Sequence, residues 1–293
     1  MKVFVTGGTG LIGRALVKRL LTDGHDITVL TRQALESSEA VTYINSIDDL
    51  NTRQNIVINL AGAGLADRRW SPAYKEEIRA SRIDLTHALV SRLRDIGMPD
   101  LLISGSAIGI YGESKEREFS ETDEAGSGFS AELCRDWEAS AGETAGTGTR
   151  YVLLRTGVVL DRALGAYPQM TQSFRFGLAS WMGQGDHWLS WIHLTDMVGA
   201  IMHCIKNQTV SGPVNMTAPN PVTHRLFADE VRTVTTTVMG MGMPDWVMRL
   251  MVGEMADELL LTGQRVIPTK LLSTGYHFRF GELKGAVADL ETQ

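Results

Sequence analysis

The chain has 293 residues, 43% hydrophobic and 21% charged, an ordinary globular composition that excludes a disordered or fibrous protein and permits a large buried core. Its formal net charge of -6 argues against general attraction to nucleic-acid phosphates or anionic lipid, so neither nucleic acid nor membrane is expected as a partner. Cys134 and Cys204 are too few for a disulfide framework and lack metal-ligand spacing, so a reducing, cytoplasmic setting and no metal are expected.

At the N-terminus, Val3-Phe4-Val5 is cut short by Thr6-Gly7-Gly8, too early for a signal-peptide core. No apolar run approaches the roughly 18 residues of a membrane span. Strand-length apolar runs then alternate with helical patterns, the order of a parallel sheet covered on both faces. Strands are predicted at Lys2-Thr6, Asp26-Thr31, Ile56-Leu60, Leu101-Ser104 and Tyr151-Arg155. Between the first two, Leu11, Ala15, Leu16, Leu20 and Leu21 recur at helical spacing, and Gly24 ends that helix. A second helix is predicted from Pro72 to Arg94 and a third from about Phe129 to Ala141.

After Arg155 the rhythm changes. Residues 165–185 mix Gly, Met, Phe and Trp without a clean period and read as a loop-rich substrate region. A helix around Asp196-Lys206 and a strand at Pro213-Met216 return toward the sheet, and from Asn220 onward helical patterns broken by Pro244 and Pro268 read as a smaller cap. Met239-Gly240-Met241-Gly242-Met243 reads as flexible packing. The expected fold is thus α/β, a Rossmann-type doubly wound parallel sheet with a smaller C-terminal substrate or cap lobe. Residues 1–165 with about 190–215 form the nucleotide-binding domain; 166–189 and 216–293 form the lobe.

Gly7, Gly10 and Gly13 lie between the first strand and an amphipathic helix. Gly7 suits the turn, Gly10 the close approach of a pyrophosphate, and Gly13 tight helix-sheet packing. The loop residues Thr9, Leu11 and Ile12 complete this cradle, where unpaired helix N–H groups face the phosphates. The second strand ends Leu30-Thr31-Arg32 without the acidic residue that would bind a ribose 2'-hydroxyl. Thr31 and Arg32 suit a 2'-phosphate, so NADP (NADPH) is expected over NAD.

Further motifs accompany the glycine loop: Asn59-Leu60-Ala61-Gly62, Arg69-Trp70, Ser104 to Gly112, Leu154 to Leu160, Ser190-Trp191-Ile192-His193 with Asp196, and Gly212 to Met216. Near the C-terminus stand Gly253-Glu254-Met255-Ala256 and Gln264 to Pro268. Together they resemble the extended and atypical short-chain dehydrogenase/reductases, and among them the NAD(P)-dependent nucleotide-sugar-epimerase-like proteins of undefined substrate with a small terminal domain. The resemblance implies that Leu60, Ala61 and Gly62 pass beside the adenosine ribose and pyrophosphate. It places Thr156 and Gly157 near the nicotinamide, and Ser106 where the active-site hydroxyl belongs.

One family feature is missing. The superfamily's general acid/base is a Tyr, assisted by a Lys one helical turn later. The corresponding helix reads Gly128 to Glu138, and the matching pair is Phe129/Leu133 or Ser130/Cys134, neither of which does that chemistry. Tyr111 is the remaining proton carrier; the alternative is a packed tyrosine with a satisfied hydroxyl. Glu132 reads as a solvated helix carboxylate and Cys134 as a buried thiol. His193 with Asp196 is either a catalytic pair or a buried histidine beside a first-turn acid. Arg69 and Trp70 either line a substrate cleft, with Arg68, or close a core. Two functions follow: an NADP-dependent, epimerase-like oxidoreductase acting on a small carbonyl or sugar-like substrate, or a catalytically silent NADP-binding regulator. A monomer or homodimer is expected.

Overall fold

The computed structural model describes residues 1–292. In chain order, β1 (Lys2–Thr6) leads to α1 (Leu11–Thr22), β2 (Asp26–Leu30), β3 (Val41–Ile44) and β4 (Ile56–Asn59). α2 (Pro72–Ala80), α3 (Ile83–Ile96), β5 (Leu101–Ala107), β6 (Glu118–Phe119), α4 (Phe129–Gly142), β7 (Arg150–Thr156) and β8 (Val158–Leu160) follow. Next come α5 (Ala166–Met170), β9 (Leu178–Met182), β10 (Trp188–Leu189), β11 (Trp191–His193), α6 (Leu194–Lys206), β12 (Gly212–Met216) and β13 (Val222–Thr223). The chain ends with α7 (His224–Val234), β14 (Met239–Met243), α8 (Asp245–Val252), a π-helix at Ala256–Leu260, β15 (Arg265–Val266), α9 (Thr269–Ser273) and α10 (Leu283–Thr292).

Seven strands form one sheet in the order β12-β7-β5-β4-β1-β2-β3, the doubly wound arrangement expected from the alternating pattern. β1 pairs in parallel with both β2 and β4, so the winding direction reverses beside β1. In sheets of this kind ligands bind at the carboxyl ends of the strands at that reversal. Val3, Phe4, Val5, Val57 and Ile58 are buried because helices cover both faces, which explains continuous apolar runs in place of alternation.

Two compact units emerge. The first comprises Met1–Ser106, Leu133–Leu154 and Ile201–Val214; its core gathers Phe4, Val57, Leu89, Leu93, Leu102 and Leu153. The second comprises Ala107–Glu132, Arg155–Ala200 and the chain from Asn215 onward; its core gathers Tyr167, Phe174, Trp191, Phe227, Phe280 and Leu290. The first passage between units falls at Ala107.

Several local expectations change. The helix predicted from Pro72 to Arg94 is two helices, with Ser71 capping the first and a break at Ser81 and Arg82. β3 supplies a strand that was not expected, and β2 stops at Leu30, one residue short. Residues 165–185 hold α5, a 3-10 turn and β9 where loops were expected. Met239–Met243 is no flexible packing segment: it pairs in parallel with Leu178–Met182. No helix among the described residues is long and apolar enough to cross a membrane.

Candidate functional site

The glycine loop is built against the end of β4. Gly7 has φ +68°, and a Cβ placed on it would lie 2.6 Å from the carbonyl carbon and oxygen of Leu60 and 2.9 Å from Ala61 N. Only a glycine lets the turn rest on that strand end. A Cβ on Gly13 would overlap Gly7 O and lie 2.7 Å from Gly8 Cα, so the first turn of α1 also needs a bare backbone. Gly10 donates its N–H to Gly7 O at 3.0 Å and is the N-cap of α1, with no side chain capping the helix. The first helical bond runs from Arg14 N to Gly10 O, which leaves the amides of Leu11, Ile12 and Gly13 as the donors a helix start cannot satisfy internally. Thr9 is half-buried beside them.

A buried polar clamp holds the two strand ends together. Thr6 Oγ1 donates to Asn59 Oδ1 at 2.6 Å and accepts from Ala61 N at 3.2 Å, while Asn59 Nδ2 donates to Thr86 Oγ1 at 2.8 Å. The glycine pattern announces the cradle, but nothing in local sequence announces this support. Thr6 closes an apolar run, and Thr86 lies in the first turn of α3.

After β2, Thr31 is buried, its Oγ1 accepting from Gln33 N at 3.1 Å and its carbonyl accepting from Asn45 Nδ2 at 2.7 Å. Arg32 is exposed and, among the described residues, makes no ion pair. Beside it opens a cleft of about 350 Å³, lined by Gly8, Thr9, Arg14, Lys18, Gln33 and Tyr43 among others. Arginine and lysine on that wall give the cleft positive character suited to an anion.

At the end of β5, Ser106 is buried and its Oγ donates to Glu138 Oε1 at 2.7 Å. From the sequence, Glu132 is the carboxylate named on this helix, as a solvated one, and Glu138 is not singled out. The signal that finds it is helical spacing: Cys134, Trp137 and Glu138 stand at i, i+3 and i+4 on α4. Trp137 packs at Gly105, where a Cβ would meet its ring at 2.6 Å.

In the second unit, Tyr111 is buried and fully engaged. Its hydroxyl donates to Asn215 Oδ1 at 2.6 Å and accepts from Arg155 Nη1 at 3.0 Å, while its ring stacks on Phe119 at 5.1 Å. Burial pushes its pKa up to about 12, against the opposing pull of Arg155. Thr156 and Gly157 are half-buried; Gly157 N donates to Met216 O at 3.1 Å, and a Cβ there would lie 2.5 Å from Ser190 O. His193 is buried against Phe280, accepts from Thr195 N at 3.1 Å through Nδ1, and lies 3.5 Å from Asp289 Oδ2. Burial lowers its pKa more than the neighbouring acids raise it. Asp196, in the first turn of α6, accepts from Arg279 N and Phe280 N at 2.8 Å each and from the Tyr276 hydroxyl at 3.1 Å. It anchors the C-terminal segment.

Trp70 is buried and donates its indole N–H to Leu65 O at 2.8 Å, whereas Arg69 is exposed and Arg68 pairs with Glu77 at 3.5 Å. Among the described residues no group of His, Cys, Asp and Glu is arranged to hold a metal.

Residues 3–216 match the NAD dependent epimerase/dehydratase family, and residues 243–290 match a domain of unknown function, DUF1731. An epimerase family protein of Mycobacterium tuberculosis is 38% identical over 295 residues, covering 99% of this chain and 98% of that protein. The chloroplastic SDR39U1 homolog of Arabidopsis thaliana, also an epimerase family protein, is 35% identical over 300 residues, covering 98% of this chain and 86% of that one. The crystal structure of human epimerase family protein SDR39U1 (isoform 2) with NADPH superposes with a TM-score of 0.91 at 31% identity, covering 99% of each chain. The glycine cradle, the strand order and the C-terminal lobe thus coincide with what these similarities say: the chain belongs to the NAD dependent epimerase/dehydratase family and carries a C-terminal DUF1731 domain.

Proposed function

We propose that the chain binds NADP(H) along the ends of β1 and β4 and acts as an epimerase-like oxidoreductase on a small carbonyl or sugar-like substrate. The observation that carries this reading is the bare cradle: Gly7 and Gly13 leave no room for side chains, and the uncapped start of α1 presents three amides. That donor set fits a diphosphate. Thr31 and the free Arg32, with no acid beside them, fit an adenosine 2'-phosphate, and the SDR39U1 structure with NADPH supports the same choice. Leu60, Ala61 and Gly62 would pass beside the adenosine ribose and the pyrophosphate.

When bound, a nicotinamide supplies two-electron hydride chemistry. The chain's own part is proton handling at Ser106 and Glu138. With Glu138 ionised, the Ser106 hydrogen is held by the carboxylate, so the serine oxygen offers lone pairs to a substrate hydroxyl. Removal of that substrate proton to Ser106 Oγ, with the serine hydrogen passing to Glu138, keeps the charge balanced. Tyr111 is better suited to orienting Arg155 and Asn215 than to proton transfer, since its hydroxyl is fully engaged and its pKa is raised.

A second reading, a silent NADP-binding regulator, is favoured by that commitment of Tyr111 and by the absent Tyr-Lys pair on α4. Calorimetry with NADPH and NADH comes first. NADPH is expected to bind at least about tenfold tighter, roughly 1.4 kcal/mol, with the preference erased in Arg32→Asp. Carbonyl-dependent NADPH oxidation that falls about 100-fold in Ser106→Ala and Glu138→Gln, at unchanged NADPH affinity, marks the enzyme. Tight binding without turnover across small carbonyls and nucleotide sugars marks the regulator. Failure of well-folded protein to bind either dinucleotide removes both readings.

A further inference from the structure

Arg82 is a buried cation without a counter-charge. It lies at the N-cap of α3 and is 9% exposed. Nη1 donates to Ile78 O at 3.2 Å and stands 3.5 Å from Ser81 Oγ. Among the described residues no carboxylate pairs with it, and Nε and Nη2 donate to no protein acceptor yet are not sealed from solvent. Burial lowers its pKa, yet a guanidinium stays protonated in any protein setting, so the charge persists. Holding a guanidinium largely out of water without a partner for its free edge is unfavourable, and an anionic acceptor would relieve it.

Its neighbours show where such an acceptor would come from. The guanidinium lies beneath the exposed Gly62, where a Cβ would stand 2.9 Å from Cζ and 3.1 Å from Nη2. Gly62 directly follows Ala61, whose N–H is tied to Thr6 beside the glycine loop. On its other side the guanidinium sits 5.3 Å from the centre of the Trp137 ring and within electrostatic range of the Cys134 thiol. Cys134 is one of the two α4 positions where the family's lysine is expected. A cation delivered from α3 thus stands beside the helix that lacks one.

We infer that Arg82 supplies the positive charge that α4 lacks, its open guanidinium edge binding an oxygen of the nicotinamide-side ribose phosphate at the ends of β1 and β4. The inference rests on the NADP(H) reading above. Arginine in place of lysine changes the chemistry: a guanidinium holds charge and can grip two oxygens, but it passes no proton. This agrees with proton handling by Ser106 and Glu138.

The test compares NADPH with adenosine 2',5'-bisphosphate, which carries the adenosine half alone. Arg82→Met is expected to weaken NADPH about tenfold or more while leaving the bisphosphate within about twofold, and Arg82→Lys to recover part of the loss. A second measurement needs no altered protein in the titration. The Arg82 Nε–Hε cross-peak of nitrogen-15-labelled wild type, assigned by its absence from Arg82→Lys, is expected to shift with NADPH and stay still with the bisphosphate. Equal NADPH affinity in Arg82→Met, or a cross-peak unmoved at saturating NADPH, overturns the inference alone. If wild type binds neither ligand, the cofactor reading falls with it. Should Arg82→Met fail to fold, the cross-peak decides.

Discussion

Gly13 and Gly10 both belong to the motif, yet the structure asks different things of them. Placing a methyl on Gly13 drives it into Gly7 O and Gly8 Cα, which are backbone atoms and cannot turn aside. On Gly10 the same methyl meets only Gly7 O, at 3.3 Å. Inside a helix a Gly→Ala change ordinarily stabilises by about 1 kcal/mol, while forced overpacking costs about 1–3 kcal/mol. Because the clash at Gly13 is with backbone, the cost wins there. Gly13→Ala is expected to lower stability by roughly 1–2 kcal/mol and NADPH affinity by more than about tenfold. Gly10→Ala should fold normally. Thermal unfolding and calorimetry on the pair check this; equal behaviour of the two variants would contradict the steric argument.

At the scale of elements, what the sequence disclosed depended on whether the cause was local. β1, the glycine turn and α1 were legible because strand, turn and helix each carry their own signal within a few residues of one another. Pro72 and the apolar spacing announced a helix, but the break at Ser81 and Arg82 carries no Pro or Gly signal, and there Arg82 packs against Gly62 and Trp137, partners outside both helices. β14 was misread although methionine alternates with glycine at period two, a strand signal, because its partner β9 lies some 60 residues earlier. The cap of α4 is just as remote. Glu258 accepts from Phe129 N at 3.3 Å and Ser130 N at 3.2 Å, placing a carboxylate on the positive end of the helix. Glu258→Ala is expected to cost about 1 kcal/mol locally and to speed amide exchange at Phe129 and Ser130 roughly fivefold. Hydrogen exchange on peptides spanning residues 125–135 reads this, and unchanged protection there would mean that water serves the cap as well.

For the whole molecule, histidines shielded from water contribute to the response to acid. His224 is almost wholly enclosed, and burial, followed by the neighbouring His187, brings its pKa down to about 4. Burial also lowers His193 and His203. Each of these groups binds a proton more readily when the chain is unfolded, so between the ordinary histidine value near 6.5 and about 4 the unfolded state carries more protons, and stability falls as pH falls. Above that window the contribution is complete. For His224 the gap corresponds to roughly 3 kcal/mol. Carboxylates such as Asp100, Asp123 and Asp186, whose pKa values are lowered chiefly by hydrogen bonds to Arg53, to the Ser120 amide and to Lys115, lose their contribution only below the usual aspartate range, so they cannot account for a loss near pH 5. Urea unfolding followed from pH 8 to pH 4 should therefore show its midpoint dropping mainly below pH 6.5, and His224→Leu, which cannot charge, should flatten that slope. An equally steep slope in the variant would mean that the acid response comes from elsewhere than this enclosed imidazole.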